Sequence, residues 1–233
     1  MAQTTLTEVM AELAELEDPK AREVNERHGD VHGVNLSKLR ALAKRLKTQQ
    51  EIACRLWETD DTAARLLAIL ICRPKAFERD ALDVMLRQAR SPKVHDWLVN
   101  YAVKKSPYCE ELRLAWSADQ HPVIASAGWA LTTERVAKKP EGLDLQGLLD
   151  VIEAQMKDAP DRLQWAMNHC LAQIGIERAE HRARVTRHRR APGSAQGLPD
   201  VPRLHLALRS HMDHRDGPPS ARSGDCLIGG HPA

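Results

Sequence analysis

Aromatic residues are scarce in this 233-residue chain: five Trp, two Tyr and one Phe, 3% in all, with none after Trp165. A sequence that stops using aromatic rings well before its end is expected to be more than one uniform fold. No stretch of about 18 consecutive apolar residues occurs, which excludes a membrane-spanning helix. The N-terminal twenty residues are acidic and amphipathic, without the basic and apolar regions of a secretory signal. Cysteines are odd in number, at 54, 72, 109, 170 and 226, and form no CxxC pair. That argues against a disulfide framework, and no His–Cys spacing suits zinc, so no metal is expected. Cys54, Cys72 and Cys170 lie among Leu, Ile and Met, the setting of buried, reduced thiols, and the expected compartment is the cytoplasm. Neither GxGxxG nor GxxxxGK[ST] appears, so no nucleotide loop and no cofactor are expected. Charge of one sign is also missing: 34 Lys+Arg stand against 32 Asp+Glu, a net charge of +2.

What is present is helical rhythm. Between residues 5 and 186 apolar residues recur at three and four, never in sustained alternation, which predicts an all-α fold. Leu36, Leu39, Leu42, Ala43 and Leu46 form one stripe, and Ala63, Leu66, Leu67, Leu70 and Ile71 another. Further helices are expected to start near Glu78, Val94, Tyr108, Val123, Leu145 and Asp161. Pro punctuates the joints at 19, 74, 92, 107, 122, 140 and 160, with Gly33 at another. Short helices with breaks at this spacing suggest pairs repeating at about 34–47 residues, an α-solenoid in preference to a compact bundle.

The stretches HGVNLSKLRALAKRLKT, LWETDDTAARLLAILICRPKAF, SPKVHDWLVNYAVKKSP and LQWAMNHCLAQIGIE resemble the DNA alkylation repair family, the AlkD-like DNA glycosylases built from HEAT-like helical repeats. The resemblance spans roughly residues 20–186. It implies double-stranded DNA as the partner and hydrolysis of the N-glycosidic bond of purines alkylated at N3 or N7. Such a base is cationic and already a good leaving group, so no general acid is needed. One carboxylate that stabilises the oxocarbenium-like sugar and orients a water suffices.

The family's catalytic stretch has the form W-D-x-V-D, with the last Asp catalytic. Its counterpart is Pro92-Lys93-Val94-His95-Asp96, which keeps Asp96 and replaces the leading Trp by Pro92. A second family Trp corresponds to His169 in Ala166-Met167-Asn168-His169-Cys170. A phosphate-gripping pair of arginines corresponds to the region of Ala125-Ser126, where both are missing. Asp96 is therefore the catalytic candidate, though a helix also favours an acid in its first turn without any function. If helix 94–105 is regular, Asp96, Asn100 and Lys104 share a polar face while Leu98 and Tyr101 point elsewhere.

Trp165 and His169, one turn apart, are candidates for the contact with sugar or lesion, with His169 able to add charge below about pH 6.5. Leu163, Met167, Cys170 and Ile174 form the apolar stripe of that helix. The alternative for the ring pair is ordinary packing at a repeat junction. Arg40, Lys44, Lys47, Lys104 and Lys105 are the candidate backbone contacts, and each equally suits a solvated face. The departures from the family pattern leave a rival reading open: a non-catalytic scaffold that binds damaged or branched DNA or a protein.

Residues 187–233 differ in kind, with six Pro, six Gly, five His and seven Arg but no Lys, Glu or aromatic ring. They are expected to be a disordered tail following a domain at 1–186. The tail carries a net charge of about +3, leaving the body near −1, so overall basicity is no argument for DNA binding. Relatives of this type end in a segment resembling D-Y-P-x-x-x-G-C-T-S-P-F-A-P-I-W-I. Codons permitted for residues 201–220, read one base later, spell SPGCTSPFAPIWITEMVRRQ. This points to a one-base slip near residues 184–188. Sequencing the gene tests it, and the absence of that second frame would end it.

Overall fold

Side-chain caps and prolines divide the chain into short helices. The computed structural model describes residues 5–190, with side chains through 187. Its helices are α1 (Leu6–Glu15), α2 (Pro19–Glu26), α3 (Leu36–Leu46), α4 (Gln50–Glu58), α5 (Thr62–Ile71), α6 (Arg79–Gln88), α7 (Pro92–Trp97), α8 (Cys109–Ser117), α9 (Pro122–Lys138), α10 (Leu145–Gln155), α11 (Asp161–Glu177) and α12 (Arg182–Arg190). Thr5 and Glu8 form a reciprocal capping box on α1, and Asp18, Asn35, Asp61, Ser91 and Asp144 each cap a helix through a side-chain oxygen. Pro19, Pro92 and Pro122 occupy first helical positions, where the missing N–H costs nothing. The expected helix starts agree with the structure to within two residues.

The helices pack against one another in pairs. α4 packs on α5, α8 on α9 and α10 on α11, while α3, α5 and α7 follow one another in a single row that α9 and α11 extend. α5 is buried from Ala63 to Ile69 and again at Ile71, because it is enclosed between neighbours on nearly every side. α9 belongs to two cores. Ile124, Ala127 and Leu131 join the large N-terminal cluster, whereas Trp129 and Val136 join a smaller one with Met167, Cys170 and Ile174 of α11. This paired-helix array is the all-α solenoid expected from the rhythm of the sequence.

Among the described residues there is no β-strand, only an isolated bridge between Glu17 and Val34, and no helix is long and apolar enough to cross a membrane. Cys72 and Cys170 are buried, and burial pushes their thiols up to about 11 and about 12. Cys54, expected to be buried, is only partly so, lying beside the Gln50 side chain on the half-covered face of α4. α12 continues to Arg190, inside the segment expected to lack order. The remainder of that tail, including residues 201–220, lies outside the described residues.

Candidate functional site

Everything at the site depends on where α7 begins. Ser91 caps its first turn, and buried Asp30, reaching in from the loop after α2, accepts hydrogen bonds from the Ser91 hydroxyl and, at 2.9 Å, from the Lys93 N–H. The Lys93 ammonium lies 3.6 Å from the same carboxylate. Removing this acceptor strands one buried donor, the Ser91 hydroxyl, and one partly buried one, the Lys93 N–H. Asp30→Ala is therefore expected to lower the unfolding free energy by about 1–3 kcal/mol, read by urea denaturation. An unchanged midpoint would show that Asp30 does not hold the helix.

After Trp97 the helix widens into a π turn, Leu98–Ala102, and then tightens into a 3-10 turn, Val103–Lys105. The regular helix expected here is thus absent, but the polar row survives. Widening the turn beyond 3.6 residues keeps residues four apart closer to one line. Asp96, Asn100 and Lys104 all face a cleft of about 660 Å³ between α7, α9 and α11. Tyr101 points away and meets Trp97 edge-on, with ring centroids 5.4 Å apart.

Across the cleft α11 contributes Arg162, Trp165 and His169. The Arg162 guanidinium is the hub. Nη2 donates to Asp96 Oδ1 at 2.7 Å and contacts His95 Nδ1 at 2.8 Å, while Nε donates to Ser126 Oγ at 3.2 Å. The other ring nitrogen of buried His95, Nε2, lies 3.1 Å from the Val123 carbonyl oxygen. Partial burial works to raise the Asp96 carboxyl, but the adjacent His95 ring and the Arg162 charge outweigh it and hold the acid below its ordinary range. Asp96 is consequently an anion at neutral pH.

Trp165 and His169 stack nearly parallel, at 17° with centroids 5.0 Å apart, and Trp165 is 42% exposed. Burial pushes the His169 imidazole down. The ring is therefore neutral at physiological pH, and the charge expected from it near pH 6.5 appears only in more acid solution. The stripe opposite behaves as expected: Met167, Cys170 and Ile174 are fully buried, and Leu163 packs against them from a partly covered position.

The candidate backbone contacts divide. Lys104 lies in the cleft, held at 3.0 Å by Glu134. Arg40 covers the Trp97 ring from 5.2 Å, and the Lys105 ammonium lies 5.8 Å from the Tyr101 ring. Lys44 on α3 and Lys47 at its C-cap are exposed and do not line the cleft. Inside the cleft Arg162 and Lys104 face Asp96, Glu134 and Asp161, so its charges nearly cancel. Among the described residues no group of His, Cys, Asp and Glu has the arrangement of a metal site.

Sequence reasoning missed Arg162, His95 and Ser126. Arg162 was legible, since it stands three residues before Trp165 and seven before His169 and so shares their helical face. That it would meet Asp96, 66 positions earlier in the chain, was not.

Comparison with known proteins gives two matches. The family model described as DNA alkylation repair enzyme matches residues 9–193. The fold is similar to a solved structure described as a new family of proteins related to the HEAT-like repeat DNA glycosylases with affinity for branched DNA structures. The TM-score is 0.69 at 22% identity, covering 79% of this chain and 81% of that one. No curated protein matches the chain.

Proposed function

Because the chain belongs to the DNA alkylation repair enzyme family, we propose that it binds damaged duplex DNA across the α7–α9–α11 cleft and hydrolyses the N-glycosidic bond of cationic alkylpurines there. One observation carries this reading: Asp96 from α7 and Trp165 and His169 from α11 converge on a single cleft, although 69 positions separate the acid from the first ring in the chain. The chemistry assigned to Asp96 is electrostatic. Its carboxylate stands beside the positive charge that develops on the sugar as the alkylated base departs, and it orients the attacking water.

Arg162 complicates that role, because a guanidinium at 2.7 Å already balances the charge of Asp96. The pair is partly exposed, with side chains 35% and 60% accessible, so its separation costs about 1 kcal/mol or less. A DNA phosphate entering the cleft is a stronger partner for a guanidinium and supplies that cost. Lys104, Lys105 and Arg40 are the other proposed phosphate contacts, with Lys44 and Lys47 further along the same row of helices.

A second reading is favoured by the same ion pair: with Asp96 permanently neutralised, the cleft binds damaged or branched DNA without cleaving it. Two assays separate them. The first measures binding of methylated duplex by the full chain, and the second measures release of 7-methylguanine or 3-methyladenine from it. Binding with release supports hydrolysis, binding without release supports the scaffold, and absence of binding overturns both.

A further inference from the structure

From the packing around the first turn of α7 we propose that the segment Asp30–Val31–His32 is an acid-released clamp. A proton gained by His32 frees the segment, and α7, the helix that carries Asp96, loses the anchor of its first turn. The proposal does not depend on the DNA-binding reading. Asp30 and His32 are 2% and 1% exposed while Val31 between them is 62% exposed, so the segment lies at the surface with its two polar side chains turned inward. Glycines flank it on both sides and supply the hinges. Gly29 has a φ of +80°, and a Cβ there would stand 3.3 Å from the Pro92 ring at the start of α7. At the other end the Gly33 N–H donates to Glu17 Oε1 at 3.0 Å and its carbonyl accepts from the Asp18 N–H at 3.0 Å.

Asp30 does the holding, through the Ser91 hydroxyl and the Lys93 N–H. His32 is buried behind it with far less support. Its Nδ1 lies 3.4 Å from Asn25 Nδ2 on α2, and its Nε2 is buried with no hydrogen-bond partner. Four charged groups act on the ring: Asp30 beside it, Glu17 before α2, Asp61 at the cap of α5 and Lys93 on α7. Burial is the largest influence. It outweighs the three acids and, with Lys93, holds the imidazole below its ordinary range. A proton on this ring makes a cation with no water around it. The charge is relieved either by the ring leaving for solvent or by Asp30 turning to it from Ser91 and Lys93, and both release α7. Because the closed state disfavours the proton, closure is fully favoured above the ordinary histidine value of about 6.5. It weakens as the pH falls below that, by at most about tenfold per pH unit.

Amide hydrogen exchange at Lys93 reads the clamp, since that N–H is donated to Asp30. In the full chain its protection factor is expected to fall by about 3- to 10-fold between about pH 7 and 5.5. It should also stay below that of Leu171, buried in the middle of α11, which opens only with the whole fold. His32→Asn keeps a polar atom beside Asn25 and takes up no proton in this range, so its Lys93 protection should not change with pH. Wild type alone gives a second test that needs no variant to fold. The His32 ring resonances should titrate below about pH 6.5, and the Lys93 amide shift should move with the same midpoint. Wild-type protection that is flat with pH, an equal fall in His32→Asn, a ring that titrates at its ordinary value, or Lys93 exchanging at the Leu171 rate at every pH would each overturn the clamp and leave the DNA reading untouched.

Discussion

Asp96→Asn is expected to lower release of 7-methylguanine from methylated duplex by about 10²–10³-fold, the usual consequence of removing one preorganised electrostatic group from a reacting centre. Asparagine keeps the size of the side chain and an oxygen to accept from Arg162, and loses only the charge. DNA affinity and the unfolding midpoint should therefore stay close to wild type, because the Asp96–Arg162 pair is partly exposed and contributes about 1 kcal/mol or less to stability. The pH profile carries the same argument. His95 and Arg162 hold the Asp96 carboxyl below its ordinary range, so its charge persists as acid is added and the acidic limb of release lies below that of an ordinary aspartate. Equal release by wild type and variant would remove Asp96 from the chemistry.

Gly128→Ala should destabilise the protein by about 3 kcal/mol, lowering the thermal midpoint by about 6–12 °C. Gly128 lies within α9, where helix propensity alone predicts the opposite sign, a gain of about 1 kcal/mol for alanine. Packing decides the outcome. A Cβ at 128 would stand 2.1 Å from the Ser117 nitrogen and 2.6 Å from the Ser117 Cα and the Trp116 carbonyl carbon, all of them backbone of α8. Backbone cannot swing aside as a side chain does, so α8 must shift. That shift disturbs Trp116, a fully buried indole whose Nε1–H donates to Asp83 at 2.7 Å. Scanning calorimetry gives the answer, and a midpoint equal to or above that of wild type would show that α8 and α9 are not so closely apposed.

The two predictions differ in what made them visible. Asp96 was named from the residues around it, through a family motif and its place on a polar helical face with Asn100 and Lys104. Gly128 drew no notice in the sequence, because nothing near it in the chain indicates that another helix presses its backbone there.

The same division runs through the whole molecule. Helices, their starts and their buried stripes were written locally: Pro at first helical positions, Asp or Ser caps, and apolar residues three and four apart, as in Leu39, Leu42 and Leu46. Each of those signals acts within a turn or two of backbone, so a linear reading recovers it. The π turn at Leu98–Ala102, the seating of His95 between Val123 and Arg162 and the pairing of Asp96 with Arg162 arise from contacts between helices far apart in sequence. The sequence by itself determined that the chain is a row of paired helices carrying Asp96, Trp165 and His169 on polar faces. Only the tertiary structure decided that those faces meet, that an arginine stands between them, and that the cleft they form is nearly neutral, because charge balance and burial depend on distances that no spacing along the chain encodes.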